Sequence, residues 1–166
     1  MDEIETMPIL TRRRIEAAFA RGVYNEMAAE LGTEAARRIL AAAVVKMAKA
    51  HAAEMAKSAP GGTPNLDSFR AIQSLWTAED ALRIEVVQST ADRFDFNVVK
   101  CRYAETYKAM GLAELGAVLS CNRDGAFCEG YDAKLRLTRT QTIMGGATHC
   151  DFRYQWTATK DTSANQ

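Results

Sequence analysis

The sequence predicts an α+β fold in which an N-terminal helical layer packs on a small antiparallel sheet of about four strands. Apolar residues recur at helical spacing through the first 76 residues. From Leu82 onward they give way to short segments rich in β-branched and aromatic side chains. Turn residues separate the halves, with no linker long enough to divide domains. Residues 1–166 therefore read as one domain whose helical part, 1–76, covers the sheet of 82–157.

Ile15, Phe19, Val23 and Met27 follow one another at four-residue spacing and predict a first amphipathic helix; Leu40, Val44, Met47, His51 and Met55 predict a second. Gly32 ends the first, Thr33 caps the second, and the run PGGTP at 60–64 stops it. A shorter helix follows over 67–76. Residues 83–88 (RIEVVQ) and 94–101 (FDFNVVKC) read as neighbouring antiparallel strands around a turn at 90–93, although Thr77-Ala78-Glu79-Asp80 also fits a helix capping box that competes with the first strand. Two short helices are expected over 104–110 and 113–121, divided by Gly111. Strands return at 134–143 and 150–157, joined by the glycine-rich loop 144–148. The polar tail 160–166 is expected to fray.

The 21 basic and 21 acidic residues cancel, and the one basic block, Arg12-Arg13-Arg14, sits at a helix start. Nothing calls for nucleic acid or an anionic membrane. The longest apolar run, 39–45, is too short to span a bilayer, and the acidic opening MDEIETMP lacks the features of a secretory signal. The expectation is a soluble, cytoplasmic protein. Its four cysteines, Cys101, Cys121, Cys128 and Cys150, then read as free thiols. The apolar faces of the long helices serve equally as core or as a homo-oligomer contact.

Chemistry concentrates in two clusters. His149, Cys150 and Asp151 stand side by side where a glycine loop enters a strand, and Cys121 and Asp124 lie three residues apart in SCNRD. Helical spacing lets Cys121 and Asp124 project together from a helix end. Strand alternation puts Cys150 on one face with Phe152, Tyr154 and Trp156, and His149 and Asp151 on the other with Arg153. The expected site therefore joins His149 and Asp151 to Cys121 and Asp124, with Cys150 as rival nucleophile or packed back wall. Competing readings give Asp124 only a turn at 122–125, and make His51 a core histidine on its apolar stripe. Cys101 reads as packing or pocket wall.

The segments VVKCRYAETYKAMGLAELGAVLSCNRD and LTRTQTIMGGATHCDFRY resemble the core pattern of the L-2-amino-thiazoline-4-carboxylic acid hydrolase family, over about Asn97 to Tyr154. The resemblance implies hydrolytic opening of a cyclic amidine to N-carbamoylcysteine, with Cys101, Cys121, Asp124, His149, Cys150 and Asp151 fitting the pattern and Cys128 departing from it. Such a reaction needs a nucleophile, a proton shuttle and a charge stabiliser. Cys121 is the first candidate nucleophile, Cys150 the second, and water activated by His149 or Asp124 the third.

Arg102, Arg139 and Arg153 are candidates to hold a substrate carboxylate, since a guanidinium fork matches its geometry. Phe94, Phe96, Tyr103 and Phe127 are candidate pocket walls. The partner is then a small-molecule substrate, and no cofactor is expected. A zinc ion held by Cys121, His149 and Cys150, with Cys101 or Asp124, is a weaker rival because paired ligand spacing is absent. The same residues are also compatible with a ureide or lactam hydrolase, or with a non-catalytic small-molecule-binding domain.

Overall fold

The computed structural model describes residues 7–157, so the tail expected to fray lies outside the described residues. The architecture is the expected α+β arrangement, with a helical layer on a four-stranded antiparallel sheet of order β1-β2-β4-β3. Two long helices come first, α1 (Ile9–Leu31) and α2 (Thr33–Lys57). Between them Gly32 sits at φ 84°, a left-handed conformation that favours glycine, and its N–H closes α1 on the Ala28 carbonyl. Gly32 rather than Thr33 is the N-cap of α2, and Thr33 is its first helical residue.

The face that α1 buries differs from the expected one. Ile9, Leu10, Arg13 and Ala17 turn inward, whereas Ile15 is 58%, Phe19 76% and Val23 40% exposed. On α2 the expected stripe holds at Leu40 and Val44, then passes to Ala48, Ala52 and Ala56, leaving Met47 exposed. Small side chains let neighbouring helices approach. A Cβ added at Gly130 would lie 2.4 Å from the Lys49 carbonyl oxygen, so glycine is what lets a later helix rest on α2 there.

The segment expected as one helix over 67–76 is two, α3 (Leu66–Ala71) and α4 (Ser74–Thr77). Asn65 and Ser68 form a reciprocal capping box at the start of α3. Thr77-Ala78-Glu79-Asp80 does not cap a helix: Thr77 ends α4, and Glu79 and Asp80 adopt positive φ and reverse the chain into the sheet. Strands β1 (Leu82–Ser89) and β2 (Arg93–Cys101) then pair antiparallel.

After α5 (Arg102–Ala109) and the short α6 (Ala113–Gly116), a π-helical turn at Ala117–Cys121 leads directly into α7 (Asn122–Tyr131). Cys121 therefore does not end a helix, and Asn122–Gly125 is not a turn. β3 (Leu135–Thr138) is shorter than expected, because the chain leaves the sheet through an irregular stretch and a 3₁₀ turn before β4 (Cys150–Trp156).

On the inner face of the sheet, Phe94, Phe96 and Val98 of β2 stand opposite Tyr154, Phe152 and Cys150 of β4. With Phe69, Phe127 and Tyr131 from the helices they form one core cluster. A second cluster joins Leu40 and Val44 of α2 to Tyr107, Leu115 and Leu119. The space between the helices and the inner face of β2 and β4 holds the site.

Candidate functional site

A cavity of about 100 Å³ lies between the layers, room for a small ring rather than a chain. Alternation along β2 and β4 aims Phe96, Val98, Phe152 and Tyr154 into it, and Trp76 and Phe127 close it from the helices. Of the expected walls, Phe96, Tyr103 and Phe127 line the cavity, while Phe94 is buried in the core beside it. Cys101, Cys121 and Cys150 converge on this space from β2, the π turn and β4. Cys128 is buried and does not reach it.

The Asp124–Arg139 ion pair contributes both partners to the cavity wall. Asp124, on the first turn of α7, accepts a hydrogen bond from the Arg139 guanidinium, which also donates to the Cys121 carbonyl at 3.2 Å and lies over the Phe152 ring at 5.1 Å. Burial raises the Asp124 carboxyl above its ordinary range, opposed by the adjacent Arg139. Desolvation also pushes the thiols up, Cys101 to about 11 and Cys121 to about 12, the latter helped by the negative charge of Asp124. Burial raises Cys150 as well, even though its sulfur accepts the Ile143 N–H at 3.2 Å. The resting site therefore holds protonated thiols beside an ionisable carboxylate.

The expected union of His149 and Asp151 with Cys121 and Asp124 is not built. Neither His149 nor Asp151 lines the cavity, because alternation from Cys150 turns both to the other face. They do not pair with each other among the described residues; Gln141 stands between them, its side chain on the His149 ring and its backbone N–H on Asp151. Asp151 also accepts from the Thr140 N–H at 2.9 Å and the Thr140 hydroxyl at 2.6 Å. Both residues pin the irregular chain between β3 and β4, the segment that carries Arg139.

Two of the three candidate arginines are likewise tied elsewhere. Arg102 is exposed and donates to the Glu79 carbonyl, and Arg153 donates to the Phe96 and Phe152 carbonyls and to the Asn97 side chain. Only Arg139 of the three lines the cavity, and it is paired with Asp124. The set proposed for zinc is not assembled, since His149 lies apart. Among the described residues no group of three or more His, Cys, Asp and Glu side chains is placed to hold a metal ion.

Among the lining residues that sequence reasoning left out of the site are the basic side chains Arg13, His51 and Arg123. His51 is exposed rather than core, with its ring edge against Phe127. Arg13 is 8% exposed, and Glu16 binds both its guanidinium, at 2.5 Å, and that of Arg123, at 3.2 Å. The available signal was the four-residue step from Arg13 to Ala17, which marks the inward face of α1.

A sequence profile described as L-2-amino-thiazoline-4-carboxylic acid hydrolase matches residues 12–154, extending through the N-terminal helices that complete the cavity. The chain belongs to the L-2-amino-thiazoline-4-carboxylic acid hydrolase family. Among curated proteins none matches it. Among solved structures it is similar to the crystal structure of the phenol-responsive sensory domain of the transcription activator PoxR with phenol. That likeness has a TM-score of 0.53 at 16% identity and covers 84% of this chain and 73% of that one. It shows that this member of the L-2-amino-thiazoline-4-carboxylic acid hydrolase family shares its fold with a sensory domain. No described helix is long and apolar enough to cross a membrane.

Proposed function

We propose that the protein hydrolyses a small cyclic amidine, opening the ring of 2-amino-thiazoline-4-carboxylate or a close relative to an N-carbamoyl thiol, with Asp124 as the proton acceptor. The family supports the reaction class. The observation that carries the residue assignment is the Asp124–Arg139 pair facing a small aromatic cavity. A carboxyl raised by burial is a stronger base than an exposed one, and Arg139 orients it.

In this reading water attacks the ring carbon bonded to two nitrogens and a sulfur. Asp124 takes one proton of the water and passes it to the ring nitrogen. The hydroxyl left on the carbon gives its proton, through the same carboxylate, to the sulfur as the C–S bond breaks. One water is consumed, and Asp124 returns to its ionised form. Nucleophilic attack by Cys121 or Cys150 is the competing route, and the raised thiols weigh against it. His149 and Asp151 are assigned to holding the loop.

The test is a product assay with aminothiazoline carboxylate and a panel of cyclic ureides on wild type, Asp124→Asn, Cys121→Ser and Cys150→Ser. Asp124→Asn is expected to lose about a hundredfold or more in turnover, with both serine variants retaining most of it. Loss in Cys121→Ser with retention in Asp124→Asn would transfer the chemistry to the thiol.

A second reading, a non-catalytic small-molecule-binding domain, is favoured by the aromatic walls and protonated thiols, and by the fold shared with a phenol-responsive sensory domain. Tight binding of a ring compound with no turnover of any panel member would establish it instead.

A further inference from the structure

The Asp124–Arg139 pair accounts for one polar feature of the cavity but not for its other charged side chains. Arg13 enters from α1 and Arg123 from α7, and His51 of α2 lines the same space. Among the described residues, Glu16 is the one carboxylate within ion-pair distance of either guanidinium, its Oε2 receiving both. Two cations against one anion leave a net positive charge at a place where Arg13 is 8% exposed and the Arg123 side chain 18%. A buried excess charge is costly unless a counter-charge completes it.

Arg123 is fixed in place by donating its Nε–H to the Leu119 carbonyl at 2.8 Å, the position four residues back across the π turn. Its remaining donors are thus preorganised rather than searching. His51 lies in the field of the same groups. Partial desolvation of the ring edge against Phe127, followed by the charges of Arg12, Arg13 and Arg123, lowers its pKa, with Glu16 opposing. The shift favours the neutral ring beside the arginines, which can donate a hydrogen bond without adding a third cation.

We propose that Arg13 and Arg123, only partly neutralised by Glu16 and flanked by His51, form a carboxylate-binding subsite of the cavity, so that the ligand is a small ring bearing a carboxylate. Guanidinium forks match a carboxylate in geometry and charge. The subsite takes over the role that the sequence gave to Arg102, Arg139 and Arg153. It leaves Arg139 free to serve Asp124. The proposal rests on the ring-opening reading for the identity of the ring, but not for its negative charge.

The test uses the whole chain with two probes, 2-amino-thiazoline-4-carboxylate and 2-aminothiazoline, which lacks the carboxylate. Binding is measured by calorimetry and by the NMR titration of the His51 ring, with His149 as the internal control. In wild type the acid is expected to bind about tenfold tighter than the amine and to raise the His51 pKa while leaving His149 unmoved. Arg123→Gln should reduce the preference to less than about threefold. Because that variant also loses the Leu119 contact, Glu16→Gln gives the opposite test: removing the competing carboxylate should tighten the acid a few-fold and leave the amine unchanged.

Equal affinities in wild type, or a His51 ring indifferent to the acid, would overturn the subsite. Carboxylate-dependent binding without any product would sink the hydrolase reading and leave the subsite standing. Turnover with a KM indifferent to the carboxylate and to Glu16→Gln would do the reverse.

Discussion

Asp124 and Arg139, fifteen residues apart, meet across the gap between α7 and the segment after β3, with the Cys121 carbonyl held by the same guanidinium. Burial raises the Asp124 carboxyl and Arg139 restrains it. Removing the restraint has a definite consequence. Arg139→Gln is expected to move the acid limb of the pH–rate profile upward by about one unit or more, since the carboxylate then needs higher pH to ionise. An acid limb that stays in place would show that Asp124 is not the titrating base.

The thiols supply a prediction independent of turnover. With Cys101 at about 11 and Cys121 at about 12, iodoacetamide at pH 8 should alkylate both at least about a hundredfold more slowly than free cysteine, and Cys121 more slowly than Cys101, because only the thiolate reacts. Mass spectrometry of the alkylated peptides across a pH series would measure this. Fast modification of Cys121 near neutrality would restore it as first candidate nucleophile.

The division into a helical half and a strand half is legible because hydrophobic spacing changes at Leu82, and the strand pairs follow from β-branched and aromatic runs. Two parts are not legible. The inward face of α1 is marked by Ala17 and Arg13, which carry little hydrophobic weight beside the solvent-facing Phe19. Helix α7 hides behind Asn122–Gly125, a turn-like string kept helical by the packing of Phe127, Tyr131 and Gly130 against other elements. For the site, the spacing of Cys121 and Asp124 leads to the cavity. Alternation separates Cys150 from His149 and Asp151 as expected, but the sequence does not say which face meets the helices; the cavity lies on the Cys150 face, so His149 and Asp151 fall outside it.

Ala17 and Phe19 give that contrast a number. Phe19→Ala should change stability by less than about 0.5 kcal/mol, as for other exposed positions. Ala17→Leu, at a site 1% exposed, should cost about 1–3 kcal/mol through overpacking. Urea melts of the two variants check it; a larger loss for Phe19→Ala would mean that this face of α1 is covered in solution.

Asp151 should act on stability rather than on chemistry. Desolvation, which alone would raise its carboxyl, is outweighed by the combined hydrogen bonds from the Thr140 hydroxyl and the Gln141 and Thr140 N–H groups, leaving it at about 2. A depressed carboxylate contributes stability that is present above the unfolded value near 4 and lost as pH falls through about 2. Discounted for solvent screening, the contribution is roughly 1 kcal/mol. Asp151→Ala should therefore flatten the stability profile between pH 4 and 2; an unchanged acid slope would refute the anchoring role.

Gly130 tests whether the contact of α7 on α2 holds the site together. The Cβ of Gly130→Ala would lie 2.6 Å from the Lys49 Cα and 2.4 Å from its carbonyl oxygen, backbone atoms that cannot rotate away. The helices must separate, at a cost of about 1–3 kcal/mol. The shift carries Arg123 and Asp124 on α7 away from His51 on α2, so ligand affinity should fall together with thermal stability. Gly125→Ala, on the same helix with open space around its Cβ, is the control. It should gain or lose little, since alanine is the better helix former. If Gly130→Ala melts like Gly125→Ala, the contact of α7 with α2 yields freely and does not hold the cavity in shape.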